Sequence, residues 1–174
     1  MKRILILIFA GLLFCSLSAQ AAEVKLGYVD LQKALNMSAA GKAAKDKIGQ
    51  KVKAYEGTFQ DKQKELKALK DDLDKQTMLL SDDARSAKER EYQQKLKDFQ
   101  RMTKDAEDEL KQQDADFTRG ILQDLLKVVK DYGKKEGYTV IFEPSESSLL
   151  YADESIDLTE KVIQLYDSQA KTSK

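Results

Sequence analysis

No proline interrupts the chain between Ser38 and Leu80, and apolar residues recur there at alternating steps of four and three. The positions are Ile48, Val52, Tyr55, Phe59, Lys62, Leu66, Leu69, Leu73, Gln76 and Leu80, of which eight of ten are apolar or aromatic. A mean step of 3.5 residues keeps one stripe of a helix turned toward a partner helix, which is the seam of a coiled coil. The same steps after Asp83 pick out Tyr92, Leu96, Phe99, Thr103, Ala106, Leu110, Gln113 and Phe117. Two helices that fold back on each other oppose residues whose numbers have a constant sum. A sum of 165 pairs Leu73 with Tyr92, Leu69 with Leu96, Leu66 with Phe99, Phe59 with Ala106, Tyr55 with Leu110 and Ile48 with Phe117. The polar exceptions Lys62 and Thr103 fall opposite each other, and Val52 against Gln113 is the one mismatch. The large Phe59 ring meets the small Ala106, as interdigitated packing prefers.

This arithmetic predicts an antiparallel hairpin over residues 41–119, with its tip near 81–84 and Ser81 capping the second helix. Forty helical residues rise about 60 Å, so the hairpin projects well beyond a small domain. Away from the seam the faces are charged. Lys42 to Lys75 carries ten basic and seven acidic residues, and Asp82 to Arg119 carries nine and eleven. Such a mixture reads as solvated helix surface laced with local ion pairs. Met78, Leu79 and Met102 are apolar residues outside the strict repeat. Packing at the seam edge is their ordinary role, and contact with apolar partner chains is the alternative that methionine suits.

The chain ends follow another pattern. Val24 to Asp30, with Leu26, Tyr28 and Val29, reads as a strand that leads into a short helix through Leu31 and Leu35. Tyr138 to Glu143, with Val140, Ile141 and Phe142, is β-branched and aromatic, and Pro144 stops it. Leu149, Leu150 and Tyr151 form a further short strand after a serine-rich turn, and Asp157 to Glu160 reads as a capping box opening a last helix. The broad apolar face from Ile121 through Leu122, Leu125, Leu126, Val128 and Val129 to Tyr132 is expected to pack on these strands. Three short strands leave long unpaired edges, which sharing between chains removes. The expected architecture is mostly α with a small β head: a long antiparallel coiled-coil hairpin projecting from a strand-shared oligomerisation domain made of 22–40 and 120–174.

Ahead of this, Lys2 and Arg3, the apolar run Ile4 to Phe14 and the small residues Ala19 and Ala21 follow the order of a cleavable export signal over residues 1–21. The apolar run is shorter than the roughly 20 residues a membrane anchor needs. Lipidation at Cys15 is disfavoured because the bulky Phe14 precedes it. Removing the signal takes away the single cysteine, and losing Lys2 and Arg3 leaves 28 basic against 30 acidic residues, a formal −2. That balance excludes a general nucleic-acid binder.

The run Lys25-Leu26-Gly27-Tyr28-Val29-Asp30, the hairpin, Tyr138 to Glu143, Leu150-Tyr151-Ala152 and Asp157-Leu158-Thr159 together resemble the Skp/OmpH family of periplasmic chaperones, in order over the whole mature chain. The resemblance implies a homotrimer whose strands form a shared barrel and whose three hairpins surround a cavity. It implies the holding of unfolded outer-membrane proteins in the periplasm until insertion, without ATP, and Met78, Leu79 and Met102 are then candidate client contacts. Family members also associate with lipopolysaccharide and anionic membranes. The near-neutral charge here, with Gln112 and Gln113 interrupting the second helix, departs from that trait, so only weak membrane or lipopolysaccharide contact is expected and no residue is assigned to it.

Catalysis finds no support in the residues. There is no histidine and no cysteine after export, which removes the commonest general base and zinc ligands. Gly133-Lys134-Lys135 lacks the remaining parts of a phosphate loop. Asp71, Asp72 and Asp74 lie on a helix without the glycine and glutamate of a calcium loop. No catalytic, cofactor-binding or metal-ligating residue is assigned. Two other classes fit less well. A docking arm like that of efflux-pump adaptors would need larger flanking β domains, and a membrane-surface helix would need its apolar stripe free of the partner helix.

Overall fold

The computed structural model describes residues 24–76 and 80–172. The expected export signal, Met78 and Leu79 lie outside the described residues. In chain order the elements are β1 (Leu26–Tyr28), α1 (Leu31–Met37), α2 (Ala39–Gln76), α3 (Asp82–Glu136), β2 (Val140–Phe142), a 3-10 turn (Glu154–Ile156) and α4 (Thr159–Thr172).

The two long helices carry the seam residues read from the sequence. Ser81 caps α3, its hydroxyl accepting the Ala84 N–H at 3.4 Å. Because α3 begins at Asp82, Asp82 and Asp83 belong to its first turn, and the connection lies just ahead of where the pairing arithmetic centres the tip. Two carboxylates in that turn complement the positive end of the helix dipole. At its other end α3 stops at Gly137, which has φ 73°, a left-handed conformation that glycine adopts without a Cβ penalty. Lys134 and Lys135 sit in the last turn, and the Lys25 ammonium reaches across to donate to the Glu136 carbonyl at 2.9 Å.

The head is a two-stranded parallel sheet covered by helices. Leu26 pairs with Val140, Gly27 with Ile141 and Tyr28 with Phe142. Parallel neighbours require a long crossover, and here the crossover is the entire hairpin. Asp157 adds a single parallel bridge to Tyr28, with the Leu158 N–H donating to the Tyr28 carbonyl at 2.9 Å. The third strand expected at Leu149 to Tyr151 is absent within the single chain. One side of β1 is occupied by β2 and the other meets Asp157, so the segment has no edge of β1 left to join.

The core gathers Val29, Ala34, Leu35, Ile121, Leu125, Val128, Leu158, Val162, Ile163 and Tyr166. The apolar face of α3 therefore buries chiefly against α1 and α4, with Ile141 and Tyr138 at its margin. Ile121, Leu125 and Val128 share a stripe at helical spacing. Leu126, grouped with them in the sequence, turns out of it and is 52 % exposed. The expected capping box also differs in detail. Asp157 accepts the Thr159 N–H at 2.8 Å, a turn two residues long, and Glu160 is drawn away to pair with Lys33 at 3.2 Å.

Candidate functional site

The hairpin is the feature that sets this molecule apart from a small globule. At 55 residues α3 extends about 80 Å, and its distal two-thirds run against α2. Most seam residues are half-buried: Ile48, Val52, Tyr55, Phe59, Leu66 and Leu69 on α2, and Tyr92, Leu96, Phe99, Leu110 and Phe117 on α3. Leu73 and Ala106 are buried. Partial burial is what two helices allow, since each stripe is covered from one side only. Around mid-length the aromatic residues form a ladder. Tyr55 stacks on Phe59 at 5.9 Å between centroids, and Phe59 meets Phe99 edge-on at 6.0 Å. Ala106, set opposite Phe59 by the pairing, is 3 % exposed.

Two ion clusters flank this seam. Glu109 of α3 takes hydrogen bonds from the Lys51 ammonium and the Tyr55 hydroxyl of α2. Gln113 of the same helix donates to it at 3.4 Å, which is how the amide opposite Val52 is satisfied. The Lys51 ammonium, then the Tyr55 hydroxyl, pull the Glu109 carboxyl below the usual carboxylate range, and the same bond pushes the Tyr55 hydroxyl up. Nearer the tip, Glu65 lies between Lys95 of α3 and Lys62 of its own helix, the latter at 3.0 Å. Those two ammonium groups hold its carboxyl at about 2. The polar pair read as Lys62 against Thr103 thus resolves otherwise. Lys62 swings out of the seam to Glu65, and Thr103 bonds back to the Phe99 carbonyl at 3.0 Å.

The Glu65 cluster predicts an acid response with a definite sign. Its folded carboxyl titrates below the ordinary 4.5, so its stabilising contribution is complete above about 4.5. That contribution declines as pH falls and is gone below about 2. Thermal melts by circular dichroism should lose midpoint between pH 4.5 and 2, and Glu65→Gln should lose less over that window. The difference should shrink in 1 M salt, because both clusters are exposed to solvent. An identical acid response in the two proteins would remove Glu65 from the account.

Where the seam opens at Lys62, Leu66 and Phe99 line a shallow depression of about 170 Å³ with Met102 at its lip and Glu65, Lys95 and Asp98 around it. Of the three candidate contact residues, Met102 is therefore half-buried beside the seam. Larger surface grooves of about 540 and 460 Å³ flank Phe117 at the hairpin root, bordered by Lys47, Gln50, Lys51 and Asp116 on one side and by Asn36, Lys45, Asp114 and Thr118 on the other. Asp71, Asp72 and Asp74 are exposed on α2. Among the described residues, no three His, Cys, Asp or Glu side chains converge on a point that would hold a metal ion.

The strand residues divide into two groups. Leu26, Tyr28, Val140, Ile141 and Phe142 lie in the paired strands, and Val29 follows β1 into the core. Leu26 and Val140 are register partners yet both stay exposed. Leu150 and Tyr151 are 99 % and 80 % exposed, on a segment that follows the turn held by the Glu143 carboxylate, which accepts from the Ser145 hydroxyl and the Glu146 N–H. Sequence reading missed Lys51, Glu65, Lys95 and Glu109. A second constant sum marks them, since Glu65 with Lys95 and Lys51 with Glu109 both add to 160, each residue standing immediately before a seam position.

A long two-helix projection rooted in a small α/β head defines a hairpin-bearing class rather than a pocket-bearing one. The chain belongs to the Outer membrane protein (OmpH-like) family, whose profile matches residues 25–166. It is 27% identical over 139 residues to an uncharacterized protein of Aquifex aeolicus strain VF5, an alignment spanning 80% of this chain and 83% of the relative. Its fold matches the crystal structure of a candidate outer membrane chaperone (OmpH-like) from Caulobacter crescentus CB15. The TM-score is 0.78, over 85% of this chain and 86% of that one, at 16% identity.

Proposed function

We propose that this protein is an ATP-independent holding chaperone of the periplasm that keeps unfolded outer-membrane proteins soluble until insertion, without catalysing any reaction. It acts as a homotrimer, exported by cleavage of residues 1–21. The observation that carries the reading is an incomplete head beside a long projection. The free edge of β2, the exposed Leu26 and Val140, and the nearly bare Leu150 and Tyr151 leave backbone and apolar groups that a neighbouring chain would cover. Several hairpins raised from one such head enclose space between them. There a client is held by many weak contacts, with Met78, Leu79 and Met102 among the candidates, while the charged outer faces keep the complex in solution. Contact with membrane or lipopolysaccharide is expected to be weak, given the near-neutral charge.

The test takes the mature chain, residues 22–174. Light scattering on a sizing column should return three chains per particle, and the same sample should suppress aggregation of a β-barrel protein diluted from urea. A monomer at micromolar concentration that leaves the barrel protein to aggregate would overturn the proposal.

A further inference from the structure

The two legs of the hairpin are rooted in different ways. One leg, α3, continues from hairpin to head as a single helix, so its direction is built in. The other, α2, enters through an elbow after α1. That elbow is strapped to the C-terminal helix. At the near end of α1 the Asp30 N–H donates to the Thr159 hydroxyl at 3.0 Å and Lys33 pairs with Glu160. At the far end the Ala39 N–H, the first of α2, donates to the Asp167 carboxylate at 2.9 Å. The elbow residue Ser38 is fully buried. Its hydroxyl donates to the Leu35 carbonyl and accepts the Gly41 N–H, both at 3.1 Å.

The first N–H groups of a helix have no partner within it. A carboxylate there gains both a charge-assisted hydrogen bond and the favourable end of the helix dipole. Here that carboxylate comes from α4, which is 128 residues further along the chain. We infer that Asp167 is a positioning residue that locks the start of α2 to the C-terminal helix and thereby sets the angle at which the hairpin leaves the head. With α3 fixed, any shift of α4 moves the α2 root along its partner helix and bends the hairpin. On the proposed chaperone reading, the packing of the head would in this way set the width of the space between hairpins. The positioning itself is a property of one chain and stands apart from that reading.

Paired spin labels test it. The one cysteine of the sequence, Cys15, lies ahead of residue 22, so the mature chain 22–174 accepts labels at Lys64→Cys on α2 and Lys161→Cys on α4 without further change, with labelled chains diluted into unlabelled ones to isolate distances within a chain. Asp167→Ala removes the acceptor and should at least double the width of the distance distribution. Asp167→Asn keeps an acceptor oxygen without the charge and should broaden it clearly less than Asp167→Ala does. A distribution in Asp167→Ala as narrow as that of the unaltered protein, or one equally broadened in Asp167→Asn, would overturn the inference. Should Asp167→Ala fail to fold, hydrogen exchange in the unaltered protein decides. The Ala39 amide should exchange at least tenfold more slowly than that of Asp82 at the start of α3, and equal rates would show the strap open. Neither readout depends on client binding or on the number of chains, so a failed chaperone assay leaves both interpretable.

Discussion

Gly41→Ala is expected to destabilise the protein by about 3 kcal/mol, at the upper end of what one added methyl costs in a packed site. The reason is local and steric. A Cβ at this position would lie 1.8 Å from the Leu35 carbonyl oxygen and 2.9 Å from its carbon. Neither atom belongs to a side chain that could rotate aside. Relief requires moving α1 against α2, which breaks the Ser38 hydrogen bonds and disturbs a core that holds Ala34 and Leu35. A helical glycine nearby supplies the control. A Cβ at Gly49 would meet nothing within 4 Å, so Gly49→Ala should stabilise by about 0.5–1 kcal/mol through helix propensity alone. Urea unfolding at one fixed protein concentration separates the two, since concentration alone moves the midpoint of an oligomer. A Gly41→Ala midpoint at or above that of the parent would refute the close approach.

Leu125→Ala carries the second large effect, an expected loss of about 3 kcal/mol. Leu125 is 0 % exposed at the centre of the head, where α3 meets α1 and α4. Truncation there leaves a cavity between three helices that cannot all close in at once. The adjacent Leu126, 52 % exposed, should respond by no more than about 0.5 kcal/mol on mutation to alanine. The same urea series measures both. Equal losses at the two positions would mean that neighbouring chains cover Leu126 as fully as α1 and α4 cover Leu125, and the loss at Leu126 would then depend on protein concentration.

How much of this was legible beforehand depends on the range of the interaction. The hairpin seam could be read because a 3.5-residue repeat is a local property, and antiparallel pairing adds only the constant sum. Ser81, one residue before Asp82, announced its cap by the same local logic. The ion clusters were half-legible: Glu65 and Lys95 obey a pairing sum, but whether Lys62 stays in the seam or leaves it for Glu65 depends on competing side-chain geometries. Leu150 and Tyr151 were not legible in this way. Their β-favouring composition marks a strand, but pairing depends on a distant partner, and within the single chain the segment joins neither β1 nor β2.

Two long helices folded back on each other, with a charged exterior, follow from the residues alone, because periodicity along a helix dictates which face must be covered. The residues also determine that the ends of the chain form a small mixed head. Long-range packing was needed to set β1 and β2 side by side and parallel, with Lys25 and Thr139 hydrogen-bonded across 114 residues. The same packing covers the apolar face of α3 mainly with helices and brings Asp167 back to the first N–H of α2. These contacts join segments with no shared periodicity, and a single carboxylate or glycine carries no mark of the distant backbone it will meet.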